Sequence, residues 1–192
     1  MRLNSVSHFR RTGIPLLLSA ALFVSIPPFL GAAPLPAKHK SSRPYTDKDI
    51  PNFAKVNANI YRGAAPTAAG FARLKAMGVR TIIDLRIEKH GRAEEIAETG
   101  ALGLERLHIP LGREAPTRKQ VATFLTTMND PAKQPVFVHC QYGADRTGAM
   151  LGIYRVTHDH WTFDQAYAEM RRYGFKPFLT ELRGAVARQA RG

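Results

Sequence analysis

The chain has a single cysteine among its 192 residues. It therefore cannot form an internal disulfide, and a thiol–disulfide relay, which needs a resolving cysteine, is disfavoured. No sequence period of 20 to 50 residues is present, so a repeat architecture is not expected. Acidic residues are also scarce, since 15 Asp and Glu stand against 28 Lys and Arg, and the formal charge is +13. This imbalance favours an anionic partner.

The N-terminal segment has no acidic residue and no apolar run as long as the roughly 20 residues that span a bilayer comfortably. Three arginines precede an apolar stretch at 14–24, and small residues follow at 31–33. This order is typical of a secretory signal peptide. We expect residues 1–37 to be a signal peptide or an uncleaved N-terminal anchor, 38–51 a linker and 52–192 one catalytic domain. The expected location is therefore periplasmic or secreted.

The pattern of apolar residues in the domain predicts alternating strands and helices. Strands are expected at 55–61, 80–85, 104–109 and 135–138. Helices are expected at 66–77, 90–99, 116–128, directly after the loop at 141–146, and at 162–172 and 178–188. Such alternation predicts an α/β fold, a single domain with a mainly parallel central sheet of about four to five strands flanked by helices. Active sites of such sheets lie at the carboxyl ends of the strands.

The strand at 135–138 leads into His139-Cys140-Gln141-Tyr142-Gly143-Ala144-Asp145-Arg146-Thr147-Gly148. Backbone N–H groups of residues 141–146 can form a concave nest at the N-terminus of the next helix, where a tetrahedral oxyanion binds without a metal. Arg146 would close this ring, because a guanidinium can bind two phosphate oxygens at once. The helix N-terminus and the arginine also favour the thiolate form of Cys140. A thiolate is a competent nucleophile.

This run resembles the signature of the cysteine-dependent protein tyrosine and dual-specificity phosphatase superfamily, which is His-Cys, five residues, Arg, and then Ser or Thr. Residues 52–56, 61–66 and 81–86 are similar to the opening of atypical bacterial dual-specificity phosphatases, although Ala65 stands where those relatives often have Gln. The resemblance implies the α/β fold of the cysteine phosphatases. The competing interpretation of Cys140 is a buried structural cysteine.

The resemblance also implies a role for each residue of the loop. Cys140 would form a phosphocysteine intermediate, and Arg146 would bind and stabilise the phosphoryl group. The Thr147 hydroxyl would donate to the leaving thiolate, and His139 would orient the loop. The remaining residues expected to bind the substrate phosphate are Gln141, Tyr142, Gly143 and Ala144.

The proton donor has two candidates. The superfamily usually supplies an aspartate about 30 residues before the cysteine, but this chain has no aspartate between Asp84 and Asp130. Asp145, inside the loop, resembles the acid of myotubularin-like lipid phosphatases and is our first choice. Glu114 is the alternative. Either carboxylate can instead be structural, Asp145 as a helix cap or ion-pair partner and Glu114 as a solvated charge.

Two upstream positions have open interpretations. Asp84 and Arg86 can brace the catalytic loop, as in relatives, or form a buried ion pair at the end of a strand. The same interpretations apply to Arg62, for which packing is the default expectation.

We therefore expect a phosphomonoester hydrolase that acts on phosphotyrosine or has dual specificity towards proteins. A phosphoinositide phosphatase and a catalytically weak phosphate-binding module are the alternatives. Loops that bind highly phosphorylated inositol rings tend to carry extra lysines, which Gln141, Tyr142 and Ala144 do not supply. No cofactor or metal is implied. The expected partners are a phosphorylated protein or phosphoinositide and an anionic membrane surface, without nucleic acid, and the expected oligomeric state is a monomer.

Overall fold

The central sheet has five strands in the order β1-β2-β5-β3-β4. The computed structural model describes residues 47–192; the expected leader at 1–37 and residues 38–46 of the expected linker lie outside the described residues. The strands are β1 Ala54–Asn57, β2 Ile60–Ala64, β3 Thr81–Asp84, β4 Glu105–His108 and β5 Val136–Cys140. Only β1 is antiparallel to its neighbour. The predicted α/β fold with a mainly parallel sheet is confirmed.

Six helices accompany the sheet in residues 47–192. They are α1 Ala68–Ala76, α2 Arg92–Ala101, α3 Arg118–Asn129, α4 Asp145–Thr157, α5 Phe163–Arg172 and α6 Thr180–Gln189. Thr67 and Thr117 cap α1 and α3, because each hydroxyl accepts the backbone N–H three residues further on at 3.2 Å. These helices consequently begin two residues later than the apolar pattern predicts.

The single strand predicted at 55–61 is wrong, because this segment is a hairpin: residues 55–57 belong to β1, 58–59 form the turn and 60–61 begin β2. The side chain of Asn57 accepts the backbone N–H of Asn59 at 2.9 Å, and this local bond closes a turn between β1 and β2. The second strand then continues to Ala64, parallel to β5, where it lies opposite Cys140. The hairpin thus places the end of β2 beside the catalytic loop.

Helices cover both faces of the sheet, as predicted. On one face, Ile82 and Phe137 pack with α1. On the other, Ile83 and Val138 contact the larger cluster that contains α3 to α6. Successive residues of β3 and β5 therefore pack into different core clusters on the two faces of the sheet.

The packed domain begins before the linker boundary that we expected at residue 51. Ile50 is fully buried against α1, and Asp47 forms an ion pair with Arg73. Residues 47–51 are therefore part of the domain. Among residues 47–192, no helix has both the length and the apolarity needed to traverse a bilayer.

Candidate active site

Cys140 is the last residue of β5, the middle strand of the sheet. Every residue of this strand is buried, and Cys140 itself is 2% exposed. Its neighbours β2 and β3 run parallel to β5 and end at the same edge. The structure thus places the sulfur where the carboxyl ends of three strands meet, the position that we predicted for the nucleophile.

The residues after Cys140 turn sharply into α4. Gly143 has a φ of +64°, and a Cβ there would lie 2.4 Å from the backbone of Gly63. Only glycine fits both constraints. Thr147, in the first turn of α4, is fully buried, and its hydroxyl has no hydrogen-bond partner within residues 47–192. It stays free for the role that we predict, donation to the leaving thiolate.

Arg146 is held by a carboxylate that the sequence did not point to. Its Nη1 and Nη2 donate to the two oxygens of Glu88 at 2.7 and 2.9 Å, and Nη1 also reaches the carbonyl of Leu111 at 3.4 Å. Glu88 therefore binds the two terminal nitrogens of the guanidinium. The Nε–H and the second hydrogen of Nη2 form the side edge, which a phosphate can bind in a bidentate manner.

The charges around Arg146 keep it protonated. Burial lowers the pKa of Arg146, but the hydrogen bonds that Arg146 donates to Glu88 and the electrostatic interaction with Cys140 outweigh burial and raise it above its ordinary value. The hydrogen bonds from Arg146 correspondingly lower the pKa of Glu88. An arginine in this state can accompany the phosphoryl group through the reaction without losing its charge.

The two candidate acids lie in different segments, Asp145 at the start of α4 and Glu114 after β4. Asp145 accepts the backbone N–H of Lys176 at 2.8 Å with one carboxylate oxygen, which ties the catalytic loop to the connection between α5 and α6. Glu114 is exposed on the connection between β4 and α3. Leu111 of the same connection contacts Arg146. The choice of Asp145 over Glu114 stays a prediction.

A buried polar network lies beside the catalytic strand. Asp84 binds Arg86 at 2.9 Å, and Glu95 binds Arg106 at 2.8 Å and the Nε2 of His139 at 3.3 Å. Asp84 and Arg86 thus form the buried ion pair at a strand end that was one of our two interpretations. Burial raises the pKa of Asp84, but the hydrogen bonds from Arg86 and the electrostatic interaction with His139 outweigh burial and lower it to about 2.

The same network includes three groups close enough together to suggest a metal site, Asp84, Glu95 and His139. Their carboxylates are already paired with Arg86 and Arg106. A cation would have to displace two guanidinium groups. We therefore interpret the network as support for His139 and the catalytic strand rather than as a metal centre.

A cavity of about 430 Å³ adjoins the catalytic loop on the side of Gln141. Cys140 and Arg146 do not line it. Its wall includes the beginning of α1 together with His90, Glu94 and Glu98. The body of a substrate that leaves the phosphate site in this direction would meet an acidic wall.

Residues 39–186 match the model of the family described as "DSP-PTPase phosphatase fused to NAD+ Kinase". The chain belongs to this DSP-PTPase family. The predicted resemblance to dual-specificity phosphatases is therefore confirmed.

Several proteins are similar to this DSP-PTPase chain. Dual specificity protein phosphatase TpbA of Pseudomonas aeruginosa is 26% identical over 125 residues, which are 65% of this chain and 55% of TpbA. Inositol diphosphatase DSP2 of Oryza sativa is 28% identical over 64% of this chain and 61% of DSP2. The match thus spans little more than half the length of these relatives. The crystal structure of TpbA in complex with pTyr superposes with a TM-score of 0.61 at 22% identity, covering 70% of this chain and 82% of that one, and has the same fold.

Three residues around the loop of this DSP-PTPase domain were missed or underrated from the sequence. The sequence analysis gives no role to Glu88, places Asn52 only within the similar stretch 52–56, and predicts packing by default for Arg62. A partial signal existed for Glu88, because it follows β3, whose carboxyl end was expected at the active-site edge.

Proposed function

We propose that this chain hydrolyses phosphomonoesters through a phosphocysteine intermediate on Cys140. The observation that carries the proposal is the position of this buried thiol at the strand edge, followed by a glycine-dependent loop and by Arg146 in the first turn of α4. Helix N-terminus and guanidinium together supply the positive field that a dianionic phosphate needs. Membership in the DSP-PTPase family supports the same chemistry.

The reaction has two steps. In the first, Sγ attacks phosphorus, the bond from phosphorus to the ester oxygen breaks, and that oxygen leaves with a proton from the general acid, for which we propose Asp145. In the second, a water attacks the phosphocysteine, the same carboxylate takes the proton, and the bond between phosphorus and sulfur breaks to release phosphate and the thiolate. The Thr147 hydroxyl would stabilise that thiolate.

Phosphotyrosine in a protein is the substrate class that we propose. Tyr142, within the catalytic loop, is 70% exposed and offers an aromatic surface next to the phosphate site. The neighbouring cavity carries Glu94 and Glu98, which repel additional phosphate groups and favour a basic peptide. The solved complex of TpbA with pTyr supports this choice.

An inositol phosphate or phosphoinositide is the second candidate, because the relative DSP2 is named an inositol diphosphatase. The test is phosphate release by the full-length chain from three substrates, in the presence of EDTA: a phosphotyrosine peptide, an inositol pyrophosphate and a phosphoinositide in vesicles. We expect the peptide to have the highest kcat/KM. A higher value for either inositol compound would replace our choice of substrate class.

Arg146→Met gives the same assay a control on the phosphate site. It should lose phosphate affinity and turnover together, whereas Arg191→Met, which removes the same charge from the exposed C-terminus, should leave both unchanged. Equal activity of the two variants would contradict the proposed site. Absence of release from every substrate by the unaltered chain would favour a phosphate-binding module.

We also propose that residues 1–37 direct export and that the basic chain works as a monomer near an anionic membrane surface. The support is the arginine-led apolar segment and the formal charge of +13. Cell fractionation with and without residues 1–37 tests the first part. Retention of both forms in the cytoplasm would contradict it.

A further inference from the structure

The carbonyl oxygen of Gly143 accepts hydrogen bonds from two side chains that lie outside the catalytic loop. Arg62 donates from Nη2 at 2.8 Å, and Asn52 donates from Nδ2 at 3.1 Å. The same Asn52 nitrogen lies 3.3 Å from the carbonyl of Tyr142 and 3.0 Å from that of Tyr173. Both lone pairs of the Gly143 carbonyl are thus engaged from the side of the loop that faces β2.

This engagement fixes the direction of the loop amides. In a planar trans peptide unit, the carbonyl of one residue and the N–H of the next point in opposite directions. Pinning the carbonyls of Tyr142 and Gly143 towards Asn52 therefore turns the N–H groups of Gly143 and Ala144 the other way. Several N–H groups that converge on one side of a turn form an anion-binding nest.

Arg62 is a buried cation whose hydrogen-bonding groups are only partly satisfied. It is 1% exposed, and its Nε and Nη1 have no hydrogen-bond partner within residues 47–192. Its guanidinium lies 3.8 Å from the ring centroid of Tyr173, and no carboxylate of the described chain forms an ion pair with it. A buried cation with such incomplete pairing costs stability.

The charge of Arg62 survives this burial. Desolvation lowers the pKa of Arg62 to about 10, which still leaves the group protonated at neutral pH. The charge of Glu169 is the largest influence that raises the pKa of Arg62 again, and Cys140, which lies opposite the end of the Arg62 strand, also raises it. A second cation behind the loop thus adds to the field of Arg146.

We propose that Asn52 and Arg62 are positioning residues that hold the catalytic loop in its anion-binding conformation through the carbonyl of Gly143, and that Arg62 also stabilises the Cys140 thiolate. The proposal rests on the phosphatase function proposed above. Packing alone does not explain a buried, incompletely paired arginine at this position. A methionine would fill similar space without the desolvation cost.

The test measures two properties of the full-length chain that need no turnover. One is the affinity for inorganic phosphate by calorimetry, and the other is the pH dependence of Cys140 alkylation by iodoacetamide. Arg62→Met should weaken phosphate binding at least about tenfold and move the midpoint of the alkylation profile to higher pH. Arg62→Lys keeps the charge and should restore most of the alkylation profile but only part of the phosphate affinity.

If Arg62→Met does not fold, Asn52→Gly still tests the proposal. Asn52 has a φ of +57°, which glycine adopts without strain, so this variant removes only the side-chain donor. Phosphate affinity should fall about three- to fivefold, while the alkylation midpoint stays in place because no charge is removed.

Arg155→Met is the matched control for the loss of a buried arginine. Arg155 is also stacked on an aromatic ring, that of Trp161 at 4.3 Å, but it binds Glu169 and Asp159 rather than the loop. It should lower the melting temperature without changing phosphate affinity of the folded protein. Unchanged phosphate binding in Arg62→Lys and Asn52→Gly would overturn the proposal.

The outcomes also separate this proposal from the proposed function. If the unaltered chain binds phosphate and the variants weaken it, but no substrate is turned over, the positioning role holds and the phosphatase function fails. If the unaltered chain does not bind phosphate at all, the positioning role is overturned as well.

Discussion

Glu88 is expected to position Arg146 rather than to compete with substrate for it. Its two oxygens engage Nη1 and Nη2 at 2.7 and 2.9 Å and leave the Nε edge of the guanidinium for phosphate. Glu88→Gln removes the charge and replaces one acceptor with a donor that faces the guanidinium. Arg146 should then sample orientations in which its side edge no longer meets the phosphoryl oxygens, and kcat/KM should fall.

The size of this effect follows from the exposure of the pair. The side chain of Glu88 is 42% exposed and that of Arg146 is 13% exposed. Exposed ion pairs contribute about 0.2–1 kcal/mol, and hydrogen bonds to charged groups about 1.5–3 kcal/mol. An intermediate value of about 0.5–1.5 kcal/mol corresponds to a loss of about 2- to 12-fold in kcat/KM.

Steady-state kinetics on an aryl phosphate, together with the inhibition constant of inorganic phosphate, measure this loss. Glu105→Gln is the control, because Glu105 forms an exposed ion pair with Lys133 in another part of the domain and should leave kinetics unchanged. The pKa of Glu88 is lowered, so its contribution is complete above its ordinary pKa and is lost as pH falls through the lowered value. Tighter phosphate binding in Glu88→Gln would refute positioning and would indicate competition instead.

Three further outcomes are expected. Asp145→Asn keeps an acceptor for the N–H of Lys176, so it should fold normally and slow poor leaving groups about 10²- to 10⁴-fold while sparing an activated aryl phosphate; equal rates on both substrates would exclude Asp145 as the acid. Gly143→Ala combines a left-handed backbone, worth about 1–2 kcal/mol, with an overlap on Gly63, and calorimetry should show a lower melting temperature and lost phosphate binding. The free energy of unfolding should fall by about 2 kcal/mol as the pH drops from about 4, near the ordinary pKa of an aspartate, to the lowered pKa of Asp84 at about 2. Denaturant titrations of Asp84→Asn should show a flatter profile in this range.

The catalytic loop could be predicted because its chemistry is local in the sequence. Cys140, Arg146 and Thr147 fall within eight consecutive residues, directly after a strand whose apolar residues leave little choice of structure. Strand and helix alternation then determines which end of the sheet carries the loop. The same alternation predicts the helices, with boundaries that move by two residues where Thr67 and Thr117 cap them.

The support around the loop could not be predicted, because its contacts join distant positions. Arg62 lies 81 positions from Gly143, Asn52 lies 91, and Glu88 lies 58 from Arg146. Arg62 and Glu88 reach the loop because β2 and β3 flank β5, an order that hydrophobic periodicity does not specify. The hairpin was missed for a different reason: its turn depends on one local hydrogen bond to the Asn57 side chain, which hydrophobic periodicity does not reveal.

The most direct test of the account is detection of phosphate on Cys140 itself. The full-length chain, mixed with an aryl phosphate and quenched in acid within one turnover, should yield a phosphorylated peptide that contains Cys140 when analysed by mass spectrometry. Cys140→Ser should yield no phosphorylated peptide and release no phosphate. Turnover by Cys140→Ser, or phosphate found on another residue of the active chain, would contradict the phosphocysteine mechanism.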